Sequence, residues 1–202
     1  MQAIIVIATW GSGSTAVSGY LDRCGAYTCP PHVNTNDLLT PNAYEPLEYR
    51  IELAKLIDEL SFKKIGNPED FVKFFEAWWE IECAKSQNLG LSHILLKHPL
   101  QSFVLPYLNR KLKPSYLFIT RPYDLIEKTR IRRKWHPIYG ALGAKEIYSI
   151  SYDFLNANSC PFISIPFNEF RSSTELRDKM LNFIGLVPSA EKLKVAEDFI
   201  RV

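Results

Sequence analysis

Small and hydroxyl-bearing residues follow the first apolar run of this sequence. Residues 4–7 are all β-branched and predict a short, buried strand. Apolar residues at helical spacing begin at Val17. A strand, a glycine-rich turn and a helix N-terminus together direct several backbone N–H groups at one point, which is a geometry suited to phosphate or sulfate. The residues of the predicted anion cradle are Trp10, Gly11, Ser12, Gly13, Ser14 and Thr15.

The cradle lacks the lysine of a nucleotide triphosphatase. Such a loop carries Gly-Lys-Ser/Thr, and its lysine reaches the transferred phosphate. Here the corresponding triplet is Gly13-Ser14-Thr15. The sequence therefore predicts a phosphate-binding backbone without that cation.

Overall composition is that of a single globular domain spanning residues 1–202. The net charge is +2 at pH 7 and 47% of the residues are hydrophobic, a balance that does not indicate nucleic-acid binding. The four cysteines lack the paired spacing of a zinc site, so we expect free thiols and no metal. No apolar run is long enough for a signal peptide or a membrane span, and we predict a cytoplasmic protein.

Strand and helix patterns alternate along most of the chain. This alternation predicts an α/β fold of three layers, α/β/α, around a central and mainly parallel sheet. Residues 28–44 are polar and rich in turn formers, Asn36 and Asp37 among them, and we predict a long surface loop there. The predicted later strands are 93–97, 116–120 and 162–167, and the predicted helices are 47–60, 68–90, 100–112, 123–135 and 172–184.

Polar residues stand where the predicted strands end. Arg121 follows one of these strands directly, and Thr129 lies eight residues further on, inside the next helix. Lys97-His98 ends another strand. Ligands of parallel sheets bind beyond the carboxyl ends of the strands. An arginine fork with a neighbouring hydroxyl suits a phosphate. The local motif alone favours an arginine that pairs with a carboxylate near a helix start, but together with the glycine turn it favours the phosphate.

In these features the chain resembles the sulfotransferase superfamily, P-loop proteins that use 3′-phosphoadenosine 5′-phosphosulfate. The segment from Trp10 to Ala16 is similar to the family's loop for the 5′-phosphosulfate, and Arg121 and Thr129 stand where the family binds the 3′-phosphate. The resemblance implies a P-loop fold, adenosine 3′,5′-bisphosphate as product and no metal. Arg133 is a further candidate for the 3′-phosphate.

The resemblance extends beyond the cradle. Lys97-His98-Pro99 is similar to the lysine–x–proline that ends the intervening strand in bacterial-type members. Residues 165–170 and 176–186 resemble the family's terminal strand and helix. The match therefore covers most of the chain outside residues 28–89, a loop and helical insertion where the family varies its acceptor side.

One position departs from the family pattern. Sulfotransferases usually place a lysine or arginine immediately before the Ser-Gly of this loop, and this chain has Gly11. Losing such a charge-stabilising donor typically costs on the order of 100- to 1000-fold in rate. Three explanations stay open: Lys97 supplies the charge from the neighbouring strand end, the protein binds a phosphorylated ligand without transfer, or the phosphate chemistry is different.

Sulfuryl transfer to a hydroxyl also needs a general base. The candidates are His32 and Glu48, with Glu45 and His98 as further residues of suitable chemistry. Each also has an ordinary structural role; a loop histidine is usually just exposed, and a glutamate suits a helix N-terminus. The acceptor expected from the resemblance is a hydroxyl or amine on a small molecule or carbohydrate.

The sequence is therefore compatible with three candidate functions. The first is a sulfotransferase-like enzyme, the second is a non-catalytic P-loop protein that binds a nucleotide or phosphorylated ligand, and the third is a small-molecule kinase. The missing lysine disfavours the kinase, as does the lack of an acidic residue at Leu96 or Ile119 for magnesium. The chain lacks the glycine-rich basic segment that larger cytosolic members use over the adenosine, so the donor site is either incomplete or completed in a homo-oligomer.

Overall fold

The computed structural model of the protein describes residues 1–35 and 40–201, without the side chain of residue 201. The strands of the described part are β1 (Gln2–Ile7), β2 (His32–Asn34), β3 (Asn42–Pro46), β4 (His93–Lys97), β5 (Ser115–Thr120) and β6 (Phe162–Pro166).

Helices make up the two outer layers. Short 3₁₀ helices cover Pro99–Val104 and Pro137–Tyr139. The α-helices are α1 (Ser14–Cys24), α2 (Leu47–Leu56), α3 (Pro68–Asn88), α4 (Leu105–Leu112), α5 (Tyr123–Arg132), α6 (Ala141–Ala157), α7 (Phe167–Ser172), α8 (Thr174–Ile184) and α9 (Ala190–Arg201).

The central sheet has the strand order β4-β1-β5-β6, and all its pairs are parallel. Ile5 of β1 stands in register with Leu96 on one side and Tyr116 on the other. Because side chains alternate across a strand, Ile5 and Ile7 enter the core on one face while Ile4 and Val6 enter the core on the other. Both faces are covered by helices, and the predicted α/β fold with a parallel sheet is confirmed.

The two cores differ in composition. The first is rich in aromatic residues, and Phe75 and Trp78 of α3 both pack against Tyr49 of α2 in it. The second is mainly aliphatic and brings α1, α8 and α9 against the sheet. The cradle lies where β1, which contributes to both cores, ends.

Residues 28–44 depart from the predicted surface loop. β2 and β3 form an antiparallel pair, and Thr28 is buried. Tyr44 packs close to Gly19 of α1, so β3 is held against the helix that follows the cradle. The segment has too few apolar residues to show a strand pattern by itself, and its burial comes from these contacts. Asn36 and Asp37 lie outside the described residues.

Other differences concern element ends. α2 stops at Leu56 rather than at residue 60, and the predicted helix 100–112 begins as a 3₁₀ turn, with α4 starting beside Pro106. Proline is compatible with the first turn of a helix but not with its interior, which explains this late start. α6, α7 and α9 are absent from the predicted elements. In the described part of the chain, no helix has both the length and the apolarity needed to cross a membrane.

Candidate functional site

The loop between β1 and α1 closes on itself through Ser12. The backbone N–H and the hydroxyl of Ser12 both donate to the carbonyl oxygen of Thr9, at 3.2 and 2.7 Å. Ser12, one of the predicted binding residues, is fully buried and thus uses its hydroxyl hydrogen inside the loop. The contribution of Ser12 is therefore to shape the cradle.

Glycine is required at two positions of this loop. Gly11 and Gly13 have φ angles of 73° and 93°, in the left-handed region that other residues rarely adopt. A Cβ atom on Gly13 would lie 2.3 Å from ring atoms of Phe167, and one on Gly11 would lie 3.3 Å from Thr129. Phe167, the first residue of α7, therefore packs directly on the cradle backbone, and a side chain at Gly11 would press on Thr129.

Three backbone N–H groups of the cradle have no hydrogen-bond acceptor among the described residues. Within the described residues, the N–H groups of Gly13, Ser14 and Thr15 donate to no carbonyl, and no side chain caps α1. The first N–H groups of an α-helix have no partner inside the helix, and they carry the positive end of its dipole. Together with the loop they form a site with the geometry of an anion cradle.

Arg121 joins the cradle to α5. Its Nη1 donates to the carbonyl oxygen of Gly11 at 2.7 Å and to the hydroxyl of Thr129 at 3.1 Å, while that hydroxyl donates to Leu125 at 3.0 Å. The guanidinium carbon lies 5.6 Å from the centre of the Phe167 ring. The structure thus brings together Gly11, Arg121 and Thr129, three of the predicted binding residues.

Neighbouring groups balance the charge of Arg121 only in part. Burial and the charge of Arg132 lower its pKa, and Asp124 only partly opposes them. The Nε atom of Arg121 is buried and has no hydrogen-bond partner. Within the described residues, no carboxylate lies at ion-pair distance from this guanidinium. Arg121 therefore keeps an uncompensated charge and an unused donor beside the cradle.

Lys97, at the end of β4, also reaches the cradle. Its Nζ lies 3.4 Å from Thr15 Oγ1, 2.8 Å from the Ala43 carbonyl oxygen and 2.8 Å from Glu45 Oε1. The side chains of Lys97 and Glu45 are both buried. Burial alone would raise the pKa of Glu45, but the charge and the hydrogen bond of Lys97, together with His98 and Arg50, outweigh burial and lower that pKa. The two residues form a buried ion pair.

His98 completes this cluster. Its Nδ1 accepts from the Leu100 N–H at 3.2 Å, so the ring proton belongs on Nε2, which faces Glu45 Oε2 at 3.8 Å. Burial lowers the pKa of His98 to about 4, which makes the ring neutral at neutral pH. The ring therefore caps the 3₁₀ helix Pro99–Val104, and the Nδ1 lone pair is already used as the acceptor for the Leu100 N–H.

Trp10 turns its indole toward the aromatic core. Its ring lies 4.5 Å from the ring of Tyr139 and is stacked at 6.2 Å on Phe62. These contacts attach the loop to Phe62, which precedes β4, and to Tyr139, which lies in the 3₁₀ helix after α5. The side chain of Trp10 thus fixes the loop position, and its role in ligand binding stays a prediction.

The two predicted bases lie in different surroundings. The Nε2 of His32 is 2.8 Å from the Thr28 carbonyl oxygen, and its Nδ1 is 3.1 Å from the Asn42 amide nitrogen, so both ring nitrogens have partners. Glu48 is exposed in the first turn of α2. No hydrogen bond or ion pair in the described part joins either residue to the cradle, and their catalytic roles stay predictions.

Arg133 lies beyond the end of α5. Its Nη2 donates to the Thr40 hydroxyl at 2.9 Å, and its guanidinium lies 4.7 Å from the Trp135 ring centre. The contact with Thr40 connects α5 to the segment that leads into β3. Arg133 thus helps to position that segment next to the candidate site.

Tyr148 is a supporting residue that sequence reasoning missed. Its hydroxyl donates to the Ile119 carbonyl oxygen at 2.9 Å, at the end of β5. Burial raises its pKa to about 12, and hydrogen bonding with Thr9 and Ser12 acts in the opposite direction. The signal was present in the helical spacing of the buried residues of α6: Ala144, Ile147, Tyr148, Ser151 and Leu155.

Comparison with known proteins adds no assignment. No protein-family model matches the chain, and a search of curated proteins finds no match. Over residues 1–35 and 40–201, no three His, Cys, Asp or Glu side chains are grouped as metal ligands. The function is therefore argued from the geometry of the cradle.

Proposed function

We propose that the protein is a sulfotransferase-like enzyme that moves a sulfuryl group from 3′-phosphoadenosine 5′-phosphosulfate to a hydroxyl or amine of a small molecule or sugar. The observation that carries this proposal is the position of Arg121. Its guanidinium is hydrogen-bonded to Gly11 in the cradle and to Thr129 in α5, and it has no carboxylate partner among the described side chains.

The residues present fit the donor. The N–H groups of Gly13, Ser14 and Thr15 would hold the 5′-phosphosulfate, and Arg121 with Thr129 would hold the 3′-phosphate. The unpartnered Nε of Arg121 supports this assignment, because a buried donor without an acceptor is costly unless a ligand satisfies it. When bound, the donor would supply the activated sulfuryl group, and no metal is needed in this proposal.

The charge missing at Gly11 has a nearby substitute. Arg121 Nη1 lies 2.7 Å from the Gly11 carbonyl oxygen, so a guanidinium stands beside the position where the resembled family has a cationic side chain. A cation held in a partly buried site stabilises developing negative charge on a leaving phosphate. Under this proposal Arg121 contacts the 3′-phosphate and acts on the leaving 5′-phosphate only through its positive potential at the cradle.

The acceptor side is assigned to residues 28–89. There, His32 and Glu48 remain the candidates to take the acceptor proton. We place the activity in the cytoplasm, a reducing compartment suited to the four free thiols, Cys24, Cys29, Cys83 and Cys160. A second copy of the chain would complete the adenosine side of the site.

One observation favours a non-catalytic binding protein as the second candidate. Lys97 contacts Thr15 of the cradle, and Glu45 neutralises its charge. If Arg121 serves only to bind, the cradle would retain a phosphorylated ligand without driving transfer.

Calorimetric titration with adenosine 3′,5′-bisphosphate tests the proposal. We expect a dissociation constant in the micromolar range, which corresponds to a binding free energy of about −8 kcal/mol. Arg121→Ala should weaken binding about 10- to 100-fold, because a charge-assisted hydrogen bond is lost, and Thr129→Val should weaken it less. Arg110→Ala, at an exposed position on α4, is the matched control and should change nothing.

Two results would contradict the proposal. One is binding of magnesium–ATP without binding of the bisphosphate, which would favour the kinase. The other is unchanged bisphosphate affinity in Arg121→Ala. If the bisphosphate binds but no acceptor panel of alcohols, sugars and amines is sulfated, the second candidate takes its place.

A further inference from the structure

The ammonium group of Lys97 has three hydrogens and three acceptors. Glu45 Oε1 and the Ala43 carbonyl oxygen each lie 2.8 Å from Nζ, and Thr15 Oγ1 lies 3.4 Å from it. The residue is 3% exposed. No ammonium hydrogen therefore remains for a ligand, and the Glu45 carboxylate balances the charge.

The contact with Thr15 determines the direction of a hydroxyl. Because Lys97 can only donate, the Thr15 oxygen accepts, and the Thr15 hydrogen must be donated to another group. Within the described residues, Thr15 makes no other side-chain hydrogen bond. Thr15 lies in the first turn of α1, next to the N–H groups of the cradle.

We propose that Lys97, held in place by Glu45, is a positioning residue that directs the Thr15 hydroxyl into the cradle as a donor to a bound anion. Lys97 does not itself replace the cation missing at Gly11. This inference rests on the proposed function only in requiring that the cradle bind a phosphate or sulfate group. It differs from the sequence-based hypothesis, in which Lys97 touches the transferred group.

A double-mutant cycle tests the coupling. The paired variant Lys97→Met/Glu45→Gln removes both charges together and avoids a lone buried ion. Thr15→Val removes the hydroxyl and keeps the shape. Affinity is measured by calorimetry for inorganic phosphate and for adenosine 3′,5′-bisphosphate. We expect the paired variant and Thr15→Val each to weaken binding about fivefold, the contribution of one hydrogen bond.

The triple variant Lys97→Met/Glu45→Gln/Thr15→Val shows whether Lys97 acts through Thr15. If Lys97 acts through Thr15, adding the paired substitution to Thr15→Val causes no further loss. If Lys97 contacts the anion itself, the losses multiply to about 25-fold, which would overturn the proposal. Thr15→Ser restores a hydroxyl and should restore both affinity and sensitivity to the paired substitution. Urea unfolding of each variant checks that the binding measurements report on folded protein.

The two probes separate this inference from the proposed function. Coupled losses for phosphate, in a protein that does not bind the bisphosphate, would support the inference and contradict the sulfotransferase-like proposal. Bisphosphate binding with multiplying losses would do the opposite. Failure of the wild-type protein to bind either anion would overturn both.

Discussion

The two ends of the candidate site handle positive charge differently. At the arginine end, comprising Arg121, Gly11 and Thr129, the guanidinium donates to neutral oxygens and keeps an unused Nε. At the lysine end, comprising Lys97, Glu45 and His98, the ammonium is buried against a carboxylate. Both cations touch the cradle, but only the first has charge and donors left for a ligand.

The difference shows that a basic residue at a strand end does not by itself indicate an anion site. A cation that is paired with a carboxylate orients and holds the neighbouring groups. A cation that is bonded only to neutral groups instead creates a positive electrostatic potential that attracts an anion. Arg121 therefore fits the second description and Lys97 the first. The following predictions compare the contributions of the two ends to stability.

The largest expected effect is at the lysine end. Lys97→Met should lower the free energy of unfolding by about 3–5 kcal/mol, because it leaves Glu45 as an unpaired buried charge. The paired variant Lys97→Met/Glu45→Gln should recover most of this loss. Arg121→Ala, the corresponding change at the arginine end, should cost only about 1 kcal/mol. Urea unfolding monitored by tryptophan fluorescence measures all three.

Equal losses in Lys97→Met and Arg121→Ala would remove the distinction between the ends. So would a paired variant that is as unstable as Lys97→Met.

The next effect concerns the packing beside the arginine end. Gly13→Ala should destabilise the protein by about 3 kcal/mol, since the new Cβ overlaps the Phe167 ring and φ is 93°. Gly90→Ala is the matched control: its φ is 68° and nothing lies within 4 Å of the added atom. It should cost about 1 kcal/mol, the backbone part alone. Thermal unfolding of both variants gives the difference, and equal losses would mean that Phe167 does not constrain the loop.

A third effect is a pH dependence at the lysine end, which develops gradually between the two pKa values of His98. The pKa of His98 falls from 6.5 to about 4 on folding, so the unfolded chain binds its proton first as the pH is lowered. Stability should therefore decrease from pH 6.5 toward pH 4, by up to about 1.4 kcal/mol per pH unit. The lowered pKa of Glu45 acts in the same direction at more acid pH.

His98→Asn tests this dependence by keeping an acceptor for the Leu100 N–H without the titrating ring. Denaturation curves at several pH values should show a flatter profile for this variant. Arg121→Ala should keep the wild-type slope, because nothing at the arginine end titrates in this range. An unchanged slope in His98→Asn would contradict the assignment.

Much of the fold could be predicted because its signals are local. The β-branched run of β1 and the glycines after it specify strand, turn and helix within a few residues. Asn67 accepts from the Glu69 N–H, and Ser173 from the Leu176 N–H, as their cap positions predict. α6 was missed although its spacing was helical, and the β2–β3 pair was missed because its polar sequence has no strand period.

In the candidate site, too, contacts between residues close in sequence could be predicted, and contacts between distant residues could not. Arg121 and Thr129 are eight residues apart and meet because a strand end and the next helix turn are neighbours. Lys97 and Glu45 are 52 residues apart, and their pairing depends on how β3 docks beside α1 and β4. No spacing rule predicts that contact.

The amino-acid sequence by itself determined the cradle, the parallel sheet and the arginine end, since strand and helix periods and glycine conformations act over a few residues. Only the tertiary structure decided which cation is free. Glu45 reaches Lys97 through β3, and Phe167 and Tyr148 reach the loop from α7 and α6. Such pairings depend on the packing of distant segments, which burial and charge compensation determine together.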